Sequence, residues 1–374
     1  MNIVKYPGGK ERELGIIQSN FPSGIKNYYE PFVGGGAVYF STSADHYYVN
    51  DISEGLMNLY RCVASQDTDF FSSMAAINSL WKSIDAFVEK DDELFRTYIG
   101  YRDSVIDKNA MKKDVHDYIS KNRESIIQFV KPLNCGGTDV FPECTEKILI
   151  RKFVSMKKLN FMKRVIPDED ILANILGAYK AAFYTYIRSL FNRSDSFTDG
   201  MKAMLYLFIR DFCYSSMFRF NDKGEYNVPY GGLSYNKKTY DRAVEKYQDP
   251  EMLSRMSQTT FGCMDYMDFL SIYPPQENDF MFIDPPYDSS FSTYDQKPFD
   301  TEQQELLAGY LISQCRCRFM IDIKYTDYIA SLYPEGLLCA NGGTLRVKSF
   351  DKNYSVSFMN RNSKEATHML ICNY

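Results

Sequence analysis

Residues 25–63 read IKNYYEPFVGGGAVYFSTSADHYYVNDISEGLMNLYRCV. The aromatic-rich run Asn27–Glu30 predicts a strand, Gly34–Gly36 a loop, and the stretch after it a helix. HYYVND (46–51) predicts a second strand and EGLMNLYRCV another helix. Strand, glycine loop, helix, strand is the start of an α/β sheet, which makes its ligand crevice at the carboxyl ends of the strands. No Gly-Lys-Ser/Thr follows, so the loop is not a P-loop. Gly34 and Gly36 also lack the third glycine of the dinucleotide fingerprint, where Tyr39 stands. Asp51 closes the second strand and is placed to hold ribose hydroxyls. Glycine loop plus strand-end acid implies a nucleoside cofactor; the plain structural alternative is a tight turn.

The whole chain sets the limits around this core. Its 374 residues suggest two domains, or one with a large insertion. Hydrophobic residues at 45% and charged residues at 24% are ordinary for a soluble globular protein, whereas aromatics at 16% are plentiful. Taken alone, that aromatic excess favours core packing over stacking on bases. A formal charge of −5 excludes a generally basic nucleic-acid coat, so any DNA-binding surface is local. The nine cysteines and three histidines (His46, His116, His368) match no zinc spacing, and Cys315-x-Cys317 fits one face of a strand. Reduced, mostly buried thiols in a cytoplasmic protein are expected, with no metal and no membrane span.

Residues 65–200 change character. Helical periodicity runs through stretches such as SSMAAINSLWKSIDAFVEK without strand alternation, which predicts a mainly helical insertion. Within it, Lys147, Arg151, Lys152, Lys157, Lys158, Lys163 and Arg164 follow one another with no acid between 147 and 164. Such a run is usually a solvated face, but on an acidic chain it points to polyanion contact. RFNDKGEYNVPYGGLSYNKK (219–238) carries hairpin chemistry, with Asn-Asp-Lys-Gly as the turn. Strand and helix patterns then resume through QTTFGCMDYMDFL, TEQQELLAGYLISQ and RFMIDI, and TLRVKSF and ATHMLICNY form a closing pair.

The second decisive stretch is NDFMFIDPPYDSSF, residues 278–291. An apolar run of the kind that fills the middle of a sheet ends in Asp284, Pro285, Pro286 and Tyr287. The prolines stiffen the exit. Asp284 supplies a carboxylate, the second proline holds a carbonyl rigid, and Tyr287 offers a ring face. Two acceptors gripping the hydrogens of an exocyclic amine draw its nitrogen toward tetrahedral geometry and stabilise the charge that develops during attack. An aromatic face fixes the ring plane, as in pockets for flipped bases. A helix-capping acid before a turn explains any one of these residues but not all four.

In this order the motifs resemble the Dam-like adenine-N6 DNA methyltransferases. The resemblance implies a Rossmann-like S-adenosylmethionine-dependent α/β sheet (1–64 and 201–374), a mainly helical target-recognition insertion (65–200) and a DNA-facing β-hairpin (about 219–238). YPGGK resembles the family's N-terminal motif, so Tyr6 and Lys10 would contact S-adenosylmethionine. EPFVGGGAVYF implicates Glu30, Phe32, Gly34 and Gly36, and NDISEGLMNLY makes Asp51 the ribose ligand. MDYMDFL implies Asp265 and Tyr266 at the adenine ring, and DPPY is the catalytic motif. Tyr294 falls where the family has a tyrosine near the methionyl end. On the DNA side the resemblance implies Arg219, Asn221, Asn227 and Pro229, beside Lys147, Arg151, Lys152, Lys157 and Lys158. The implied reaction is direct in-line methyl transfer to N6 of a flipped adenine in double-stranded DNA. Cytosine-N4 or RNA adenine methylation, and a catalytically inactive DNA-binding homologue, are the alternatives; Asp rather than Ser at 284 favours adenine.

Overall fold

The computed structural model describes residues 2–6, 8–90, 92–162, 166–286, 293–294, 297–353 and 365–374. Residues 293–294, 297–298, 352–353 and 365–366 are described by backbone alone. The chain divides into two compact units, Met1–Ser65 with Tyr247–Tyr374, and Gln66–Lys246.

The first unit is built on a seven-stranded sheet. Its strands are β1 (Asn27–Glu30), β2 (His46–Asn50), β3 (Thr259–Gly262), β4 (Phe280–Ile283), β5 (Arg318–Lys324), β6 (Arg346–Asn353) and β7 (Glu365–Cys372). They lie in the order β3-β2-β1-β4-β5-β7-β6. The first five are parallel, and β7 runs antiparallel to both β5 and β6. All four residues of β4 are fully buried. An unbroken apolar run is what a strand covered on both faces requires. On one side of the sheet Met281, Ile283, Phe319, Ile321 and Ile371 pack with Phe269, Leu307 and Leu311.

Strand order reverses between β1 and β4, since the chain winds outward from β1 through β2 to β3 and, the other way, from β4 to β5. Ligand crevices of open α/β sheets form at such switch points, outside the carboxyl ends of the strands. Glu30 ends β1, Asp51 follows β2 and Asp284 follows β4, so the reversal brings three acids to one edge.

Two local expectations need correction. After the glycine loop there is only a single 3-10 turn, Tyr39–Ser41. Arg255 donates to the Tyr39 and Thr42 carbonyls, while Ser41 Oγ and Thr42 Oγ1 donate to those of Ala37 and Val38. The chain leaves helical geometry at Thr42, whose backbone is extended. Cys315 and Cys317 are buried in the connection entering β5 rather than on its face, with sulfurs 3.4 Å apart.

The second unit is helical. Its principal helices are α1 (Thr68–Glu89), α2 (Val140–Met162), α3 (Asp168–Phe191) and α4 (Asp199–Phe212). Trp81 of α1 packs edge-on against Phe183 of α3 and against Phe208 and Phe212 of α4. The abundant aromatics are therefore largely core. The expected boundary at 200 moves to 246, because α4 packs against α1 and α3. The following hairpin is tied to α3 as well, through Tyr184 Oη to the Val228 carbonyl and Asn192 to both polar groups of Tyr226's backbone. Its strands meet at the bridges Cys213–Tyr230 and Phe220–Tyr226. Among the described residues, no helix is long and apolar enough to cross a membrane.

Candidate functional site

At the switch point the first unit holds a cavity of about 220 Å³. Tyr6, Lys10, Glu30, Phe32, Gly34 and Gly36 line it. So do Asp51, Asp265, Tyr266, Asp284, Pro285 and Pro286, which gathers residues up to 280 positions apart in sequence. Met264, Phe299 and Gln303 are also among its lining residues.

The glycine loop is fixed by its own neighbours. Gly34 and Gly36 have φ of +48° and +77°. A Cβ on Gly36 would collide with Tyr60 Oη, which itself donates to the Gly34 carbonyl. Asp51 closes the loop from below, accepting from the backbone amides of Gly34 and Ser53, both at 3.0 Å. Asp265 caps the helix Tyr266–Ile272 by accepting from the Met267 amide, which sets Tyr266 at the cavity wall.

Asp284 is held by a buried cation. Lys10, 3% exposed, places Nζ 2.8 Å from Asp284 Oδ1 and 3.2 Å from Asp322 Oδ2. The other oxygen of Asp322 lies 3.0 Å from His368 Nδ1, and both residues are fully buried. Beside this chain, Glu30 Oε2 accepts from Tyr28 Oη at 2.6 Å. Burial pushes the Glu30 carboxyl well above the usual carboxylate range, the charges of Asp284 and Asp51 push the same way, and the bonds from Tyr28 and the Tyr39 backbone oppose them. Next to Asp284, Gln304 Nε2 donates to the Pro286 carbonyl at 3.2 Å and fixes the proline turn.

Tyr287 lies outside the described residues, as do Lys163 and Arg164, and Tyr294 is described by backbone alone. Of the other basic residues, Lys147, Arg151 and Lys158 are exposed on α2. At 3.6 residues per turn they fall within about 40° of one another, a single stripe. Lys152 and Lys157 leave that stripe, contrary to expectation. Lys152 Nζ donates to Asn174 Oδ1, and Lys157 Nζ donates to the Tyr101 carbonyl and Ser104 Oγ. Asn221 does not present its amide outward either: Oδ1 accepts from the Lys223 and Glu225 amides and Nδ2 donates to Glu225, so it builds the turn. Arg219 is exposed and donates to Asn227 Oδ1; Pro229 is exposed. Arg188 of α3 donates to the carbonyls of Asn227 and Val228, anchoring the hairpin stem.

Sequence reasoning missed the supports. Asn50, 1% exposed, donates to the Pro31 and Met264 carbonyls and accepts from the Met264 amide. It thereby ties the glycine motif to the Asp265 loop. Asp322, His368 and Gln304 were likewise unread. The one available signal was polar residues inside otherwise apolar strands: Asp322 in RFMIDIK and His368 in EATHMLIC.

Comparison with known proteins adds the chemistry. A family model described as D12 class N6 adenine-specific DNA methyltransferase matches residues 6–132 and 133–335. The chain is similar to the type II methyltransferase M.MjaIII of Methanocaldococcus jannaschii, 23% identical over 349 residues, covering 88% of this chain and 86% of that protein. It is 24% identical over 311 residues to the DNA adenine methylase of Escherichia coli, covering 82% of this chain and 73% of the relative. Identity reaches 31% over 158 residues with the retron Ec67 DNA adenine methylase of Escherichia coli, covering 41% of this chain and 53% of that one.

Proposed function

The chain belongs to the D12 class N6 adenine-specific DNA methyltransferases, and on that footing we propose that the switch-point cavity binds S-adenosylmethionine and presents it to an adenine of double-stranded DNA. The observation that carries this is the cavity's donor set. Four carboxyl residues, Glu30, Asp51, Asp265 and Asp284, line it with Tyr6, Phe32, Tyr266 and Phe299. Its lysine, Lys10, is committed to two aspartates. An acidic, aromatic-walled cavity suits a cationic purine nucleoside and is ill suited to a phosphorylated one.

When bound, the sulfonium supplies an already activated methyl group, so the protein's share is binding, orientation and electrostatics. Asp51, at the cavity wall after β2, would accept from ribose hydroxyls. Phe32 and Tyr266 would wall the purine, with Glu30 beside them in the cavity lining. Asp284 and the Pro285 carbonyl accept the two N6 hydrogens of the flipped base and stabilise the positive charge that grows on nitrogen during attack. The proline pair and Gln304 keep those acceptors from moving.

In the helical unit, the stripe Lys147, Arg151 and Lys158 contacts phosphates, and the 219–229 hairpin with Arg219 reads the duplex. Phosphate contacts set register and base contacts set sequence. The test is transfer of labelled methyl from S-adenosylmethionine to duplex DNA, with the product digested to nucleosides. Label in N6-methyladenine is expected; label in N4-methylcytosine, or none, refutes the reading. Asp51→Ala is expected to weaken S-adenosylmethionine binding by calorimetry, and unchanged affinity removes Asp51 from the site.

A further inference from the structure

We infer that Asp322 and His368 are positioning residues for methyl transfer, acting on Asp284 through Lys10. Three strands contribute to one buried polar chain: Asp284 just after β4, Asp322 on β5 and His368 on β7, with Lys10 bridging the two aspartates. Asp322 pairs across the sheet with Leu370 and His368 with Lys324, so the two side chains are diagonal neighbours on antiparallel strands. A carboxylate only accepts, hence the imidazole proton sits on Nδ1 and points at Asp322. That bond fixes the Asp322 carboxylate, whose other oxygen fixes Lys10.

The arrangement does two things for Asp284. It pins Oδ1, so the carboxylate plane cannot rotate when an amine arrives at the cavity. It also divides the lysine's charge. A cation held by Asp284 alone would neutralise it and make it a poor acceptor; a cation shared with a second carboxylate orients Asp284 while leaving it electron-rich. Fixed acceptors aimed at charge that appears only in the transition state are what such a reaction needs. A hydrogen-bonded second carboxylate and its histidine are an expensive thing to bury for packing alone.

The inference rests on Asp284 being the acceptor for the adenine amine, and the variants separate the two ideas. Full-length wild type, His368→Leu, His368→Asn, Asp322→Asn and Asp284→Ala are compared in single-turnover methylation of unmethylated genomic duplex DNA at saturating S-adenosylmethionine. Cofactor affinity by calorimetry and thermal melting are measured alongside. A misplacement of about 1 Å can cost about 100-fold, so His368→Leu and Asp322→Asn are expected to slow transfer about 10- to 100-fold with cofactor affinity nearly unchanged. His368→Asn, whose amide donates from nearly the Nδ1 position, is expected to restore most of the rate. Should His368→Leu fail to fold, the isosteric Asp322→Asn decides alone. Wild-type transfer in Asp322→Asn, or losses that merely follow cofactor affinity and melting, overturns the positioning role. Loss in Asp284→Ala beside normal Asp322→Asn sinks this inference only; normal turnover in Asp284→Ala sinks the reading of the site as well.

Discussion

Replacing Asp284 by asparagine is expected to damage methyl transfer at least as much as replacing it by alanine, although asparagine is the closer mimic in shape. The reason is Lys10. Its ammonium has donors only and lies 2.8 Å from Asp284 Oδ1, with the lysine 3% exposed. In Asp284→Asn the amide must turn its oxygen toward that ammonium, since the alternative sets donor against donor in a buried site. The amide NH₂ then faces the cavity, where the adenine amine brings hydrogens of its own. Alanine only removes an acceptor, whereas asparagine puts a donor in its place. Loss of one preorganised hydrogen bond to developing charge costs about 100- to 1000-fold, or about 2.7–4 kcal/mol, and asparagine is expected at or beyond the upper end. Neither variant strands the lysine, because Asp322 stays within 3.2 Å, so both are expected to fold. The loss of folding stability in either variant is expected to stay well below the roughly 3–5 kcal/mol of a buried charge left without its partner. Single-turnover methylation of duplex DNA at saturating cofactor, with melting curves as the control, measures the order. An Asp284→Asn enzyme clearly faster than Asp284→Ala refutes the geometry, since it would mean Lys10 does not dictate the amide's orientation.

Glu30→Gln is expected to raise thermal stability at neutral pH while keeping a partner for Tyr28. Burial raises the native carboxyl's pKa, so Glu30 favours the fold fully below the unfolded value near 4.5, and that contribution is lost as pH rises through the native value. The gain in melting temperature must therefore shrink as pH falls toward 4.5, and a gain independent of pH contradicts the shift. Gly36→Ala forces a side chain into φ +77° and against Tyr60 Oη, a conformational penalty alone of roughly 1–2 kcal/mol. Denaturant titration should show a larger total loss, partly recovered when Tyr60→Phe removes the hydroxyl. Lys158→Glu is expected to weaken binding to all DNA sequences alike and lower the steepness of the salt dependence by about one or more in log–log slope. Lys157→Glu is expected instead to lower the melting temperature, because that amine is bonded within the unit and sits 4.2 Å from the Tyr101 ring centroid; an effect on salt slope without one on stability reverses the assignment.

What the sequence disclosed and what it concealed divide along a physical line. Asp51 and Asp284 were legible because each stands at a strand's carboxyl end, where a sheet places its ligands regardless of detail. The glycines were legible as a loop, but their reason was not: Gly36 is demanded by Tyr60, 24 residues on, a contact no local pattern carries. Lys10 was read as a ligand contact from YPGGK, whereas its partners Asp284 and Asp322 lie more than 270 residues away. The run 147–164 reads as one basic surface because a sequence does not say which side of a helix is packed. Periodicity alone would have put Lys147, Arg151 and Lys158 together and set Lys152 and Lys157 apart, yet only the contacts with Asn174 and Tyr101 show what the latter two are doing. The domain edge at 200 failed for a related reason: α4 and the hairpin look like a return to the sheet, but their aromatic faces find their partners on α1 and α3. Motifs thus disclose the groups that meet a ligand, whose placement follows from strand order. The groups that hold those groups in place are joined only by the fold, and in this protein they include the buried aspartate and histidine on which the orientation of Asp284 depends.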